Sequence, residues 1–141
     1  MKKRLLFLCT GNSCRSQMAE GYGKLYLGDK YDVYSAGIEK HGLNPYMVKV
    51  MTADNVDVSS HYSKTLQDLG NIDFDVVVTV CGHANETCPM YLKEAKIIHK
   101  GFDDPAKFEG SEEEKVKVFI KVRDEIKDYI KGELKNLLEE F

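Results

Sequence analysis

The 141-residue chain predicts an α/β fold, a four-stranded parallel sheet with helices on both faces. Two observations carry that expectation. Apolar, strand-like runs alternate with helical patterns along the chain, and the strongest run is continuous and β-branched, as strands covered on both faces are. Connections between such strands cross over right-handed. The length suits one domain spanning residues 1–141, with a core that needs no metal or disulfide staple.

Residues 4–9, RLLFLC, form an apolar run ending at a glycine-containing turn, the first strand. From Arg15 onward, Met18, Ala19, Tyr22, Leu25 and Tyr26 recur at helical spacing, and Gly28 offers a stop. DVYSAG, 32–37, is the second strand. Asn44 and Pro45 pair as N-cap and first turn of a helix whose apolar face is Met47, Val50 and Met51. Ser63 is expected to cap a short helix through Leu69. DVVVTVC, 75–81, is the third strand, and KIIH, 96–99, a weaker fourth. From about Ser111 a long helix follows, with SEEE at the positive end of its dipole. Its apolar side is traced by Val116, Phe119, Ile120, Ile126, Ile130, Leu134, Leu137 and Leu138.

A formal net charge of -3 provides no basic field for nucleic acid. The apolar part of the opening MKKRLLFLC is too short for a secretory leader, and no segment approaches the ~20 apolar residues of a membrane span. A cytoplasmic monomer is expected. There the four cysteines are reduced thiols, available for catalysis, redox chemistry or metal binding.

In such a sheet ligands sit beyond the carboxyl ends of the strands, where strand order reverses. Cys9 closes the first strand and Cys81 the third, so both are expected at one crevice. The loop Thr10, Gly11, Asn12, Ser13, Cys14 leads straight into a helix opened by Arg15 and Ser16. Backbone N–H groups and the helix dipole there suit a tetrahedral oxyanion, and Arg15 adds a planar charged fork. The same positive surroundings lower a cysteine's pKa below its usual ~8.5. Cys9, at the strand end, is the expected nucleophile, Ser16 a donor to its thiolate, and Cys14 part of the cradle wall. A bare Cys-x5-Arg spacing is unspecific; the strand before it, the helix after it and the serine following Arg15 give it force. GFDDP then supplies a proton donor for a departing oxygen, with Asp104 the candidate general acid on a rigid Asp-Pro turn.

CGHANETCP carries Cys81 and Cys88 and admits three readings. Cys81, His83, Cys88 and His99 are potential zinc ligands, though at an unusual spacing. Two unrelated buried thiols are a second reading. A redox relay, in which Cys88 approaches Cys81, is the third.

Together, CTGNSCRS after a strand, YSAGIE, HGLNP, VVVTVC with a second cysteine behind it, and GFDDP resemble the thioredoxin-coupled arsenate reductases. These share the low-molecular-weight tyrosine phosphatase fold, so the resemblance implies a three-layer phosphatase-like domain. It covers Leu5 to about Ile130. The cradle and Asp-Pro are common to both branches, whereas Cys81 and Cys88 match the reductase branch alone. The resemblance implies that Cys9 attacks arsenate and that Asp104 protonates the departing oxygen. Cys81 then attacks Cys9, releasing arsenite, and Cys88 moves the disulfide outward as Cys81–Cys88 for thioredoxin to reduce. Segment 82–90 is accordingly expected to rearrange. No bound cofactor is implied, and phosphate or sulfate should mimic arsenate.

Two departures from the family pattern stand out. Some members hold potassium near the loop through side chains matching Asn12, Glu20 and Ser35 plus an acid; Lys64 stands at the acid's position, so no metal ion is expected. Asn44 and Tyr46 stand where the phosphatase branch often carries an acid and an arginine. Besides arsenate reduction, the alternatives are a low-molecular-weight protein tyrosine phosphatase using Cys9, Arg15 and Asp104, and a zinc- or arsenite-sensing thiol protein. His41, His61 and Tyr62 are candidates to line or support the site, with an ordinary surface or packing role the favoured reading of each.

Overall fold

The computed structural model describes residues 2–70, 72–80 and 95–140. Its sheet contains β1 (Lys3–Cys9), β2 (Tyr31–Gly37), β3 (Val76–Thr79) and β4 (Lys96–His99), in the order β2-β1-β3-β4. Every pairing is parallel. Leu5 to Leu8 of β1 and all of β3 are buried on both faces, which is why these runs are apolar without alternation. β4 is only partly covered, in keeping with its edge position. The four expected strands are present, with β1 and β2 beginning one residue earlier and β3 spanning four residues.

Strand order reverses at β1, where β2 pairs on one side and β3 on the other. In register, Cys9 lies opposite Gly37 and Leu8 opposite Thr79, so the carboxyl end of β1 opens between two neighbours. The crevice expected from topology is therefore at Cys9. The sequence expectation that Cys81 shares it lies outside the described residues, as does everything expected of Cys88.

Helix α1 (Arg15–Leu27) follows β1, and α2 (Pro45–Ala53) follows β2, started by Asn44. The Asn44 side chain accepts from the Tyr46 and Met47 N–H groups, as an N-cap should. Gly28 does follow the end of α1, but in right-handed backbone; a side chain there would run into the Lys24 carbonyl. Helix α3 (Glu112–Tyr129) opens with a full capping box, Ser111 with Glu114.

Two expectations need correction. Ser63 caps nothing: its hydroxyl donates to the Gly11 carbonyl at 3.1 Å. The short 3-10 turn Gln67–Leu69 is instead started by Thr65 and Asp68, each bonding the other's backbone N–H through its side chain. The C-terminal helix is also not continuous, because a π-turn, Ile130–Leu134, separates α3 from α4 (Lys135–Leu138). The spacing of its buried residues explains this. Ile126, Ile130, Leu134 and Leu138 are all buried at intervals of four. Each such step overshoots a 3.6-residue turn by about 40°. One widened turn, at Gly132, keeps all four facing the core. Val122 and Tyr129 join that face. Among the described residues, no helix is long and apolar enough to cross a membrane.

Candidate active site

The loop from Cys9 to Arg15 is shaped by a second segment lying alongside it. The N–H groups of Ile38, Glu39, His41 and Asn44 donate to the carbonyls of Cys9, Thr10, Gly11 and Ser13 at 3.1, 2.8, 3.0 and 3.0 Å. These bonds hold the loop's carbonyls against residues 38–44. Helix α1 begins after Cys14 with no side-chain cap, so its first amides keep the donors that a capping Ser or Asp would otherwise occupy. Gly37 permits the close approach. A Cβ there would strike the Glu39 carbonyl and come within 2.8 Å of both Asn12 N and Thr10 O.

Two donors converge on the buried Cys9 sulfur. Ser16 Oγ lies 2.8 Å from Sγ, and the Asn12 backbone N–H reaches it at 3.3 Å. The direction of the serine bond follows from its surroundings: Asn12 Nδ2 donates to Ser16 Oγ at 2.8 Å, leaving the hydroxyl proton to Cys9. Both bonds favour a thiolate, at the foot of a helix N-terminus. Cys14 is in the opposite condition. Burial pushes its thiol well up, Asp104 adds to that, and Arg15 only partly opposes it.

Arg15 lies at the other side of the cradle, held by the Phe102 carbonyl at 3.0 Å from Nη1. Its Nη2 lies 3.6 Å from Asp104 Oδ2. Asp104 is itself fixed by capping a 3-10 turn, Pro105–Lys107, where its Oδ1 accepts from the Ala106 N–H at 3.0 Å. That leaves Oδ2 to face the Arg15 guanidinium. The structure thus brings together the Cys9–Ser16 loop and Asp104 from opposite ends of the sequence. The remaining members of the expected set, Cys81 and Cys88, lie outside the described residues.

Behind the loop is a buried polar network. Asn12 adopts left-handed backbone at φ 48 and is fully buried. Its Oδ1 accepts from the Lys64 N–H and from Gln17 Nε2, both at 2.9 Å, while Nδ2 also donates to Ser35 Oγ at 3.0 Å. The Ser35 hydroxyl in turn donates to Glu20 Oε1 at 2.6 Å. The Lys64 ammonium sits among Glu20 Oε1, Ser35 Oγ and the Tyr62 carbonyl at 3.3, 3.3 and 3.2 Å. Asn12, Glu20 and Ser35, which the family resemblance matched to a potassium site, are thus joined here with Lys64 in one network. Burial alone would raise the Glu20 carboxyl, but Lys24, Ser35, Lys64 and His61 together hold it below its ordinary value. Burial pushes His61 down, against the pull of Glu20 and with the help of Lys24 and Lys64.

Gln17 is the residue that sequence reasoning missed here. His61 is buried; its Nδ1 lies 3.0 Å from Gln17 Oε1 and its Nε2 lies 3.3 Å from Glu20 Oε2. His41 packs its ring over Gly11 and bonds Glu39 at 2.8 Å. His41 and Tyr62 both keep exposed side chains. Polar identity at Gln17, one turn into a helix that otherwise faces the core, was the signal available. Among the described residues no group of His, Cys, Asp or Glu is arranged to hold a metal ion.

Comparison with known proteins is consistent with this geometry. The family described as low molecular weight phosphotyrosine protein phosphatase matches residues 4–141. The arsenate reductase of Halalkalibacterium halodurans is 57% identical over 130 residues, covering 92% of this chain and 94% of that one. The arsenate reductase of Bacillus subtilis is 55% identical over 130 residues, covering 92% and 93%. Among solved structures, an arsenate reductase in the phosphate binding state superposes with a TM-score of 0.74 at 29% identity, covering 98% of each chain.

Proposed function

We propose that this chain, which belongs to the low-molecular-weight phosphotyrosine protein phosphatase family, reduces arsenate to arsenite. The observation that carries the reading is its 57% identity, over nearly its whole length, to a protein known as an arsenate reductase. The presence of Cys81 and Cys88 in the sequence supports it, because a phosphatase needs no thiols beyond its nucleophile.

The chemistry follows from the groups in place. Arsenate enters the amide cradle against Arg15, and the Cys9 thiolate attacks arsenic. An arsenic–oxygen bond breaks as a Cys9 sulfur–arsenic bond forms, and Asp104 gives its proton to the departing oxygen. The Cys81 thiolate then attacks Cys9 Sγ. The sulfur–arsenic electron pair passes to arsenic, which leaves as arsenite, two electrons reduced, and a Cys9–Cys81 disulfide remains. Cys88 attacks Cys81, freeing Cys9 as a thiolate and leaving Cys81–Cys88. The dithiol of thioredoxin reduces that bond and closes the cycle. Three thiols that must start reduced support a cytoplasmic setting for the reaction. We read residues 1–141 as one domain, acting as a monomer without a bound cofactor.

Arsenate-dependent NADPH oxidation in the presence of thioredoxin and its reductase tests the proposal. Turnover that depends on arsenate and disappears in Cys88→Ser is expected. No turnover, or turnover indifferent to that substitution, refutes the relay. A phosphatase side activity on small aryl phosphates is favoured by one observation, the Arg15–Asp104 pairing at 3.6 Å across the cradle. It uses the first half of the same chemistry, with water in place of Cys81.

A further inference from the structure

Gln17 touches neither the crevice nor Cys9, yet its fully buried side chain is hydrogen-bonded at both ends. Nε2 faces three acceptors: the Asn12 carbonyl at 3.2 Å, Asn12 Oδ1 at 2.9 Å and the Tyr62 carbonyl at 3.0 Å. All three are oxygens, one of them the side-chain oxygen that also accepts from the Lys64 N–H. The amide therefore has only one workable orientation, since the flipped form would set oxygen against three oxygens. Oε1 must then face His61 Nδ1 at 3.0 Å, and that nitrogen carries the ring proton.

We infer that Gln17 is a positioning residue that holds Asn12 in its left-handed conformation and so keeps the Asn12 N–H on the Cys9 sulfur. A non-glycine residue at φ 48 persists only where its surroundings over-determine it. Gln17 grips both the carbonyl and the side chain of that one residue. Rotation of the Gly11–Asn12 peptide would swing the Asn12 N–H away from Sγ, where it now lies 3.3 Å away. His61 fixes the far end of Gln17, and Tyr62 joins the loop to the segment bearing Lys64. The inference rests on Cys9 being the nucleophile, but not on arsenate being its substrate.

Alkylation of Cys9 by iodoacetamide, followed against pH and resolved at the peptide level by mass spectrometry, reads the thiolate directly in the full chain. In Gln17→Met, which keeps length and burial but removes both polar ends, Cys9 alkylation at pH 7 should slow about tenfold, with its pH midpoint raised. That is the worth of one hydrogen bond to a charged acceptor. Gln17→Glu, which retains an acceptor for His61 but has no donor for Asn12, should do the same. An unchanged Cys9 profile in a folded variant overturns the inference, even if the melting temperature falls. Should neither variant fold, exchange of the Gln17 side-chain amide protons in the parent protein decides the matter: slow exchange is expected, and exchange as fast as that of a surface glutamine overturns it. Because alkylation needs neither arsenate nor thioredoxin, a chain that fails to reduce arsenate leaves this result readable.

Discussion

Removing the Lys64 ammonium is the sharpest test of the network under the cradle. In Lys64→Ala, Glu20 Oε1, Ser35 Oγ and the Tyr62 carbonyl lose a donor lying 3.2–3.3 Å from each. The side chains of Lys64 and Glu20 are only 6% and 5% exposed, so water compensates little. Breaking a buried pair from one side costs about 3–5 kcal/mol. Glu20 keeps Lys24 at 2.9 Å, although that lysine is half in solvent, so a loss of about 2–4 kcal/mol is expected. At about 3 °C per kcal/mol for a chain of this size, melting should fall by roughly 6–12 °C. The assay is thermal unfolding at equal ionic strength in tetramethylammonium chloride and in potassium chloride. The variant leaves three oxygens around a space suited to a small cation, so potassium should restore part of its stability while the parent stays indifferent. A variant that melts within about 1 kcal/mol of the parent would show that the ammonium carries no structural load. A loss that potassium does not touch would mean that the oxygens collapse when the lysine goes.

Asp104→Asn should lower kcat for arsenate about 10²- to 10³-fold with little change in KM, since it removes the proton and leaves the cradle intact; steady-state kinetics checks this. Gly37→Ala should cost about 2–3 kcal/mol in a urea titration and also weaken sulfate protection of Cys9 against alkylation. The reason is that its Cβ has nowhere to go between Asn12 N and Thr10 O. Acid stability should decline in two stages. His61, held below its ordinary 6.5, stays neutral in the fold while the unfolded chain takes up a proton, so its contribution is full above pH 6.5 and erodes below it. Glu20, held below 4.5, adds a second loss further into acid. Urea midpoints against pH should lose the first stage in His61→Gln and keep the second.

Much of this was legible because local pattern and chemistry coincide. Cys9, Arg15 and the intervening loop could be placed from a strand that stops and a helix that starts, and β1 and β3 from their unbroken apolar runs. Lys64 was legible only through the family resemblance, which sets it with Asn12, Glu20 and Ser35, residues far apart in the chain. The Gln17–His61 link was not, because hydrogen bonds between residues 44 apart leave no periodic trace. Ser63 misled for a related reason. A serine before a helical stretch looks like a cap, whereas its hydroxyl is held by a carbonyl from the loop 52 residues away. The π-turn was encoded in the four-residue spacing from Ile126 to Leu138, a period that a straight α-helix cannot follow.

The bonding of the loop carbonyls to residues 38–44 has a consequence for selectivity. A recess lined by backbone amides is complete before any anion arrives, and what it reads is tetrahedral shape and negative charge. Phosphate presents both as well as arsenate does. On that reading, discrimination between them falls to the step after attack, where arsenic takes the sulfur–arsenic bonding pair and leaves reduced, which phosphorus does not do. In a cell rich in phosphate, such a protein spends much of its time holding the wrong anion harmlessly, and its rate of detoxification follows the ratio of the two rather than the amount of arsenate alone.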